Sequence, residues 1–124
     1  MKTNPVGWFE VPVTDMDRAK VFYEKTFDIE IQVIDFGGIK MGWFPNNEQT
    51  PGATGSLMLH ENYIPSHEGT LIYFSSENVQ NELDRIEAAG GKILKEKTQI
   101  SEEYGFMAVF EDSEGNRVAL HSQE

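Results

Sequence analysis

The sequence predicts an α+β fold made of two strand–helix–strand–strand–strand units. Two amphipathic helical segments each follow one strand pattern and precede three more. Adding 63 to the residue number places Trp8 on Leu71 and Glu10 on Tyr73, so the halves repeat in pattern although their sequences differ. The chain has 124 residues and no cysteine, which fits one domain whose core needs no disulfide. An ordinary α+β sandwich that happens to have two helices is the alternative.

The first unit, over about residues 5–60, begins with a strand at 6–13, where apolar and polar side chains alternate. Thr14 or Asp15 then caps a helix whose apolar positions recur at three- and four-residue spacing and end near Asp28. Further strands are predicted at 29–34, 40–44 and 56–60. A Gly37-Gly38 turn joins the first two of these strands, and residues 45–55, rich in Gly and Pro, form a loop.

A linker over 61–69 separates this unit from a second one over about residues 70–122 of the single 124-residue domain. The second unit has a predicted strand at 70–75, and Asn78 then caps a helix that Gly90-Gly91 ends. The pattern continues with a strand at 92–95, a loop at 99–104, a strand at 106–111, a tight turn at 112–116 and a closing strand at 117–121.

The charge balance limits the classes of partner. There are 21 acidic and 10 basic side chains, for a net charge of −11, which disfavours nucleic acid and anionic membranes by repulsion. The sequence has no apolar run of membrane-spanning length, and its first residues lack the apolar stretch of a secretory signal. We therefore expect a soluble, cytoplasmic protein with no nucleic acid or membrane partner.

Three segments carry a family resemblance. Residues 9–27 supply an opening strand and helix, residues 86–93 a helix end and strand, and residues 110–121 a closing hairpin. In this order and spacing the chain resembles the vicinal oxygen chelate superfamily of glyoxalases, bleomycin resistance proteins and dioxygenases. The resemblance implies two paired βαβββ modules that form a curved mixed sheet around a pocket, in a homodimer.

The same resemblance bears on metal binding. Metal-dependent members place His, Gln or Glu on the first strand of each module and Glu on the last. Alignment puts Trp8, Leu71 and Ala119 at three of these four positions, and none of them ligates a divalent metal. The fourth position falls within 56–60, where His60 is a candidate. We therefore expect no cofactor. A Zn, Ni, Mn or Fe ion held by Glu10, His60 and His121 is the alternative.

The candidate site residues follow from strand geometry. Side chains two apart share a face of a strand, so Glu10, Tyr73 and His121 lie one step from the family's ligand positions. Glu10 and His121 are the candidate catalytic residues, because both can move a proton. The candidate ligand-binding residues combine aromatic walls with orienting polar groups: Trp8, Glu10, Trp43, His60, Tyr73, Phe106 and His121.

These features favour capture of a small neutral or cationic aromatic molecule in a pocket that needs no metal. The alternative is a metal-dependent glyoxalase-like lyase or isomerase, or a ring-cleaving dioxygenase, with a shifted ligand set. The excess of acidic residues weighs against an anionic glutathione adduct as substrate. A dimeric interaction module with a vestigial pocket is a third possibility. The motifs of phosphate-binding loops, serine-hydrolase elbows and zinc-protease helices do not occur.

Overall fold

A computed structural model describes residues 3–124 and contains both predicted modules. The first comprises β1 (Phe9–Val13), α1 (Met16–Phe27), β2 (Gln32–Phe36), β3 (Ile39–Trp43) and β4 (Gly55–Leu59). The second comprises β5 (Tyr73–Ser75), α2 (Val79–Ala89), β6 (Lys92–Ser101), β7 (Gly105–Glu111) and β8 (Arg117–Ser122). The predicted order of strand, helix and three strands in each half is therefore confirmed.

The helix ends agree closely with the sequence. The Asp15 side chain accepts a hydrogen bond from the Arg18 amide (3.0 Å), and Asp28 ends α1 in the left-handed region at φ 54°. Asn78 accepts from the Gln80 amide (3.0 Å) in the same way, and Gly90 ends α2 at φ 108°. Neither helix within residues 3–124 has the length and apolarity that crossing a bilayer requires.

Several strand boundaries differ from the prediction. The strand predicted at 29–34 is observed at Gln32–Phe36, because the carboxylate of Glu24 accepts the amide of Ile31 (2.8 Å) and holds it outside the sheet. Residues 99–101, predicted as loop, extend β6 as far as Ser101. Pairing with β7 through several bulges supplies their backbone partners, which local polarity does not reveal. The strands predicted to begin at residues 6 and 70 start at Phe9 and Tyr73.

The strands form two four-stranded mixed sheets within the described residues, with the orders β1-β4-β3-β2 and β5-β8-β7-β6. In each sheet the first and last strands of the module are parallel, and the other pairs are antiparallel. Glu10 pairs with Ser56, and Tyr73 pairs with Ala119, so the 63-residue offset relates both strand pairs. β1 and β5 are therefore equivalent edge strands of the two sheets.

One core joins the modules. Phe22 and Tyr23 of α1 and Ile86 of α2 are fully buried together with Phe110 of β7. Tyr23 donates to Asp112 Oδ2 (2.7 Å) in the turn between β7 and β8, so a first-module helix is bonded to a second-module hairpin. These shared contacts fix the position of β1 relative to β5.

Candidate functional site

A cavity of about 920 Å³ lies between β1 and β5, the edge strands of the two modules. Its walls also include the end of the linker, the start of β8 and a short part of the loop between β3 and β4. The lining residues are Asn4, Pro5, Val6, Trp8, Phe9, Glu10, Val11, Pro12, Pro51, Gly52, Ala53, Ile64, Ser66, Gly69, Thr70, Leu71, Ile72, Tyr73, Phe74, Ser75, Asn116, Arg117 and Val118. A concave apolar surface of this size with a few polar groups is typical of a small-molecule site.

Two aromatic side chains of this cavity were predicted from the sequence. Trp8 is 42 % exposed and Tyr73 is 50 % exposed, so both rings have free surface to offer a ligand. Trp43 packs edge-on against Trp8, with ring centroids 6.0 Å apart and an interplanar angle of 77°. Trp43 therefore supports the Trp8 ring from outside the lining.

The cavity carries two opposite charges among the described residues, one on each module. Glu10 lies on β1, and Arg117 begins β8; both side chains are exposed. Within residues 3–124 neither side chain forms an ion pair or a hydrogen bond with protein groups. Both charges are therefore available to a ligand, and they balance each other despite the acidity of the whole chain.

The other predicted site residues lie elsewhere. His121 pairs with Ser75 and Met107, and its Nε2 donates to the carbonyl oxygen of Tyr104 (2.6 Å). His60 follows β4, and its Nδ1 accepts from the Asn62 amide (3.1 Å). Neither histidine lines the cavity, so Glu10 is the predicted catalytic residue that does.

Phe106 lies on the opposite face of β7 from Met107, the residue that pairs with His121. It pairs with Ser122, whose hydroxyl accepts from the first amide of α2, and so it faces the helices. The Lys97 ammonium lies 4.5 Å from the centre of its ring. The structure thus makes Phe106 part of the packing around the core rather than a wall of this cavity.

The family's fourth metal-ligand position lies on β4. Since Glu10 pairs with Ser56 as Tyr73 pairs with Ala119, the position on β4 equivalent to Ala119 is Ser56. The four positions thus hold Trp8, Ser56, Leu71 and Ala119, which offer one neutral hydroxyl and no carboxylate or imidazole. Across the described chain, no three His, Asp or Glu side chains come together in a group suited to a metal. The side chains present in a single chain therefore do not fit the family's metal.

Arg117 is the important lining residue that the sequence interpretation missed. It precedes Ala119 by two positions, so it shares the face of β8 that points away from the helices. Strand alternation from Ala119 leads forward to His121 and back to Arg117, so the same pattern could have indicated Arg117. Arg117 was not among the predicted site residues because arginine does not ligate a metal.

A protein-family comparison identifies the class of this chain. The model of the Glyoxalase/Bleomycin resistance protein/Dioxygenase superfamily matches residues 6–120, and the chain belongs to this superfamily. A glyoxylase-like domain-containing protein of Didymella fabae is 26% identical over 120 residues, which cover 93% of this chain and 91% of that protein.

Solved structures share the fold at low sequence identity. TnmS3, an antibiotic binding protein from Streptomyces sp. CB03234, is 23% identical, with a TM-score of 0.66 and coverage of 100% of this chain and 99% of its own. UcmS2 is 20% identical, with a TM-score of 0.71 and full coverage of both chains. A mutant of glyoxalase I from Zea mays is 18% identical at a TM-score of 0.69; 96% of this chain matches 46% of that enzyme, so this chain spans less than half of it.

Proposed function

We propose that this chain binds a small neutral or cationic aromatic molecule in the cavity between β1 and β5, and that binding needs no metal. The observation that carries the proposal is a cavity of about 920 Å³ with two partly exposed aromatic rings on its walls. The chemistry of the family's ligand positions supports metal independence, because Trp8, Ser56, Leu71 and Ala119 cannot replace a set of carboxylates and imidazoles.

The lining indicates how such a molecule is held. The rings of Trp8 and Tyr73 give flat apolar surfaces against which an aromatic ligand packs in an offset or edge-on arrangement. Glu10 attracts a cationic substituent or accepts from a hydroxyl, and Arg117 donates to a carbonyl or hydroxyl oxygen. A volume near 920 Å³ lies within the range of cavities that enclose drug-sized ligands.

The fold likeness to TnmS3, which is described as an antibiotic binding protein, supports binding as the activity. For a metal-dependent lyase or dioxygenase, a single chain offers no group of metal-binding side chains in its described part. The net charge of −11 on the whole chain also disfavours an anionic glutathione adduct. No catalytic step is therefore assigned to Glu10 or His121.

Titration with three flat probes of different charge tests the proposal. Acridine orange is cationic, anthraquinone is neutral and anilinonaphthalene sulfonate is anionic. We expect the first two to quench tryptophan emission saturably, and Trp8→Ala and Tyr73→Ala to weaken binding by about tenfold each. Tyr104→Ala removes an exposed ring outside the cavity and serves as the matched control. Failure of both probes to bind, or equal weakening by the control, would refute the proposal.

We also propose that the protein acts as a cytoplasmic homodimer, as the family resemblance implies. Exposed apolar side chains on β2 and β3, namely Phe36, Ile39 and Trp43, offer a surface for a second copy. Sedimentation velocity over a range of concentrations tests this assembly. A single species with the mass of one chain at every concentration would contradict it.

A further inference from the structure

A second cavity of about 660 Å³ lies on the helix side of the molecule. It is bounded by residues 44–54, by the end of α1 and by the first turns of α2. It contains none of the residues that the sequence predicted for the site, and no tryptophan. Phe9, Phe74, Ser75 and residues 51–53 border both cavities, and the remaining lining is separate.

Phenylalanine rings form the floor of this second cavity. Phe74 lies at its centre, with ring centroids 4.8 Å from Phe27, 5.4 Å from Phe44 and 5.5 Å from Phe9. The angles between these rings are 40°, 49° and 89°, so their faces point in different directions. The face of an aromatic ring attracts cations, and cages of such rings bind quaternary ammonium groups.

A largely buried residue with a carboxylate lines the same cavity as the rings. Glu82 of α2 lines the cavity and is only 8% exposed; its Oε1 accepts from the Ser76 hydroxyl. Its Oε2 has no hydrogen-bond partner among residues 3–124. One carboxylate oxygen is therefore free to face an opposite charge in the cavity.

The other charges of the lining leave an excess of negative charge. Asp28 and Glu77 are exposed at its edge, and Arg85 is the single cationic side chain among the described lining residues. Arg85 Nη1 donates to the carbonyl oxygen of Thr26 (3.1 Å), which directs part of the guanidinium to the α1 backbone. With Glu82 included, the lining carries three carboxylates and one guanidinium.

In the first module, an ion pair occupies the position equivalent to this cavity. At the start of α1, Glu114 inserts its carboxylate from the other module and pairs with Arg18 (2.7 Å). The residues 63 positions after Arg18 and Ala19 are Asn81 and Glu82, so the arginine is lost and a carboxylate is gained. The longer loop of residues 45–54 inserts no charged side chain into the lining.

We propose that this second cavity binds a small organic cation with an apolar body, such as a quaternary ammonium that carries an aryl or alkyl group. The ammonium lies over the phenylalanine rings beside Glu82, in the place that the Arg18–Glu114 pair fills in the first module. This site shares Phe9 and Phe74 with the cavity between β1 and β5 but has its own carboxylates, and it stands whether or not that cavity binds an aromatic molecule.

Benzyltrimethylammonium is the probe, followed by the backbone amide resonances of the whole chain. Saturable shifts are expected at the amides of Phe44, Asn46, Asn47, Glu77, Asn81 and Glu82, which border the second cavity alone. Choline and its neutral isostere dimethylbutanol test the charge: we expect choline to bind about tenfold more tightly. Absence of binding at millimolar concentration, equal affinity of this pair, or shifts confined to the cavity between β1 and β5 would overturn the proposal.

Two variants test the role of charge. Glu82→Gln keeps an acceptor for Ser76 and should weaken cation binding by about tenfold, whereas Glu87→Gln, on an exposed face of α2, should not. Asn81→Arg alters an exposed residue and places a guanidinium at the position equivalent to Arg18. It should abolish binding, with Gln80→Arg as its control. Unchanged affinity in Asn81→Arg refutes the site even if Glu82→Gln folds poorly.

A cross-test separates the two sites. Glu10→Gln and Trp8→Ala alter only the cavity between β1 and β5, so they should leave benzyltrimethylammonium binding at the second cavity unchanged. Loss of that binding in either variant would show that the cation occupies the first cavity and would refute a second site. Loss of acridine orange binding alone concerns only the first proposal.

Discussion

The guanidinium of Arg18 donates from Nε to Oε2 of Glu114 at 2.7 Å, and it thereby connects α1 to the turn between β7 and β8. The Glu114 side chain is fully buried, whereas that of Arg18 is 52% exposed. Glu114 Oε1 also accepts from the amides of Thr14 and Asp15, both at 2.9 Å. One carboxylate thus completes the start of a helix in the other module.

Glu114→Gln should make the protein less stable at pH 7 by about 2 kcal/mol, because charge-assisted hydrogen bonds are lost. Burial alone raises the pKa of Glu114, but hydrogen bonds from Arg18 and from the amides of Asp15 and Thr14 outweigh burial and lower the pKa to about 2, from 4.5. A lowered folded-state pKa gives stability that is present above about pH 4.5 and is lost as the pH falls toward 2. Urea unfolding between pH 7 and 2 measures this loss.

Glu114→Gln should lose less stability at acid pH than the unmodified protein, because it lacks the carboxylate that becomes protonated. Glu103→Gln removes an exposed carboxylate with no protein partner within the described chain and is the matched control. An acid profile of Glu114→Gln parallel to that of the unmodified protein would contradict the assignment.

Tyr23→Phe should cost about 1–2 kcal/mol at neutral pH, because buried Asp112 loses the hydroxyl donor at 2.7 Å. Burial, and then the nearby Asp112 charge, raise the pKa of Tyr23 well above 10. The stability linked to this neutral hydroxyl is present below pH 10 and is lost as the pH rises above 10. Denaturation of Tyr23→Phe, with exposed Tyr104→Phe as control, should therefore show a smaller alkaline loss; an identical loss would refute this role.

Gly55→Ala should destabilise the protein by about 2–3 kcal/mol. A Cβ at Gly55 would overlap the carbonyl oxygen of Phe9 and lie 2.6 Å from its Cγ, so β1 would have to move away from β4. Since Phe9 borders both cavities, Gly55→Ala should also weaken ligand binding in each of them. Gly7→Ala, where a Cβ meets nothing within 4 Å, is the control, and thermal unfolding compares the two.

Glu10 and Arg117 should set the charge preference of the cavity between β1 and β5 in opposite directions. Arg117→Gln removes its positive charge and should strengthen acridine orange binding severalfold, while Glu10→Gln should weaken it to a similar extent. Isothermal titration at low and high salt measures both changes, which should shrink as salt screens the charges. Shifts of the same sign in the two variants would show that neither charge faces the ligand.

Metal should have no effect on this protein. Elemental analysis of untagged protein should find well under one Zn, Ni, Mn or Fe per chain, and added Zn²⁺ should not raise the melting temperature, because ligands stabilise only the state they bind. Stoichiometric metal that is lost in Glu10→Ala or His121→Ala would overturn this expectation.

The sequence alone determined the order of elements and the chemistry of the caps. These features are local: alternation defines a strand, and Asp15 or Asn78 can cap only the helix that follows it. Strand alternation, together with the family resemblance, selected Trp8, Glu10 and Tyr73, and all three line one cavity in the structure.

Tertiary structure decided which predicted side chains meet. His60 and His121 bond to nearby backbone groups, and Phe106 faces the helices, because strand register and loop paths depend on partners distant in the chain. Only packing of the two modules brings Arg117 and β1 to the same cavity, and only folding brings Glu82 into a cavity that four phenylalanines also line. Local periodicity gives a residue its face, whereas the groups that share a cavity are set by contacts between sheets.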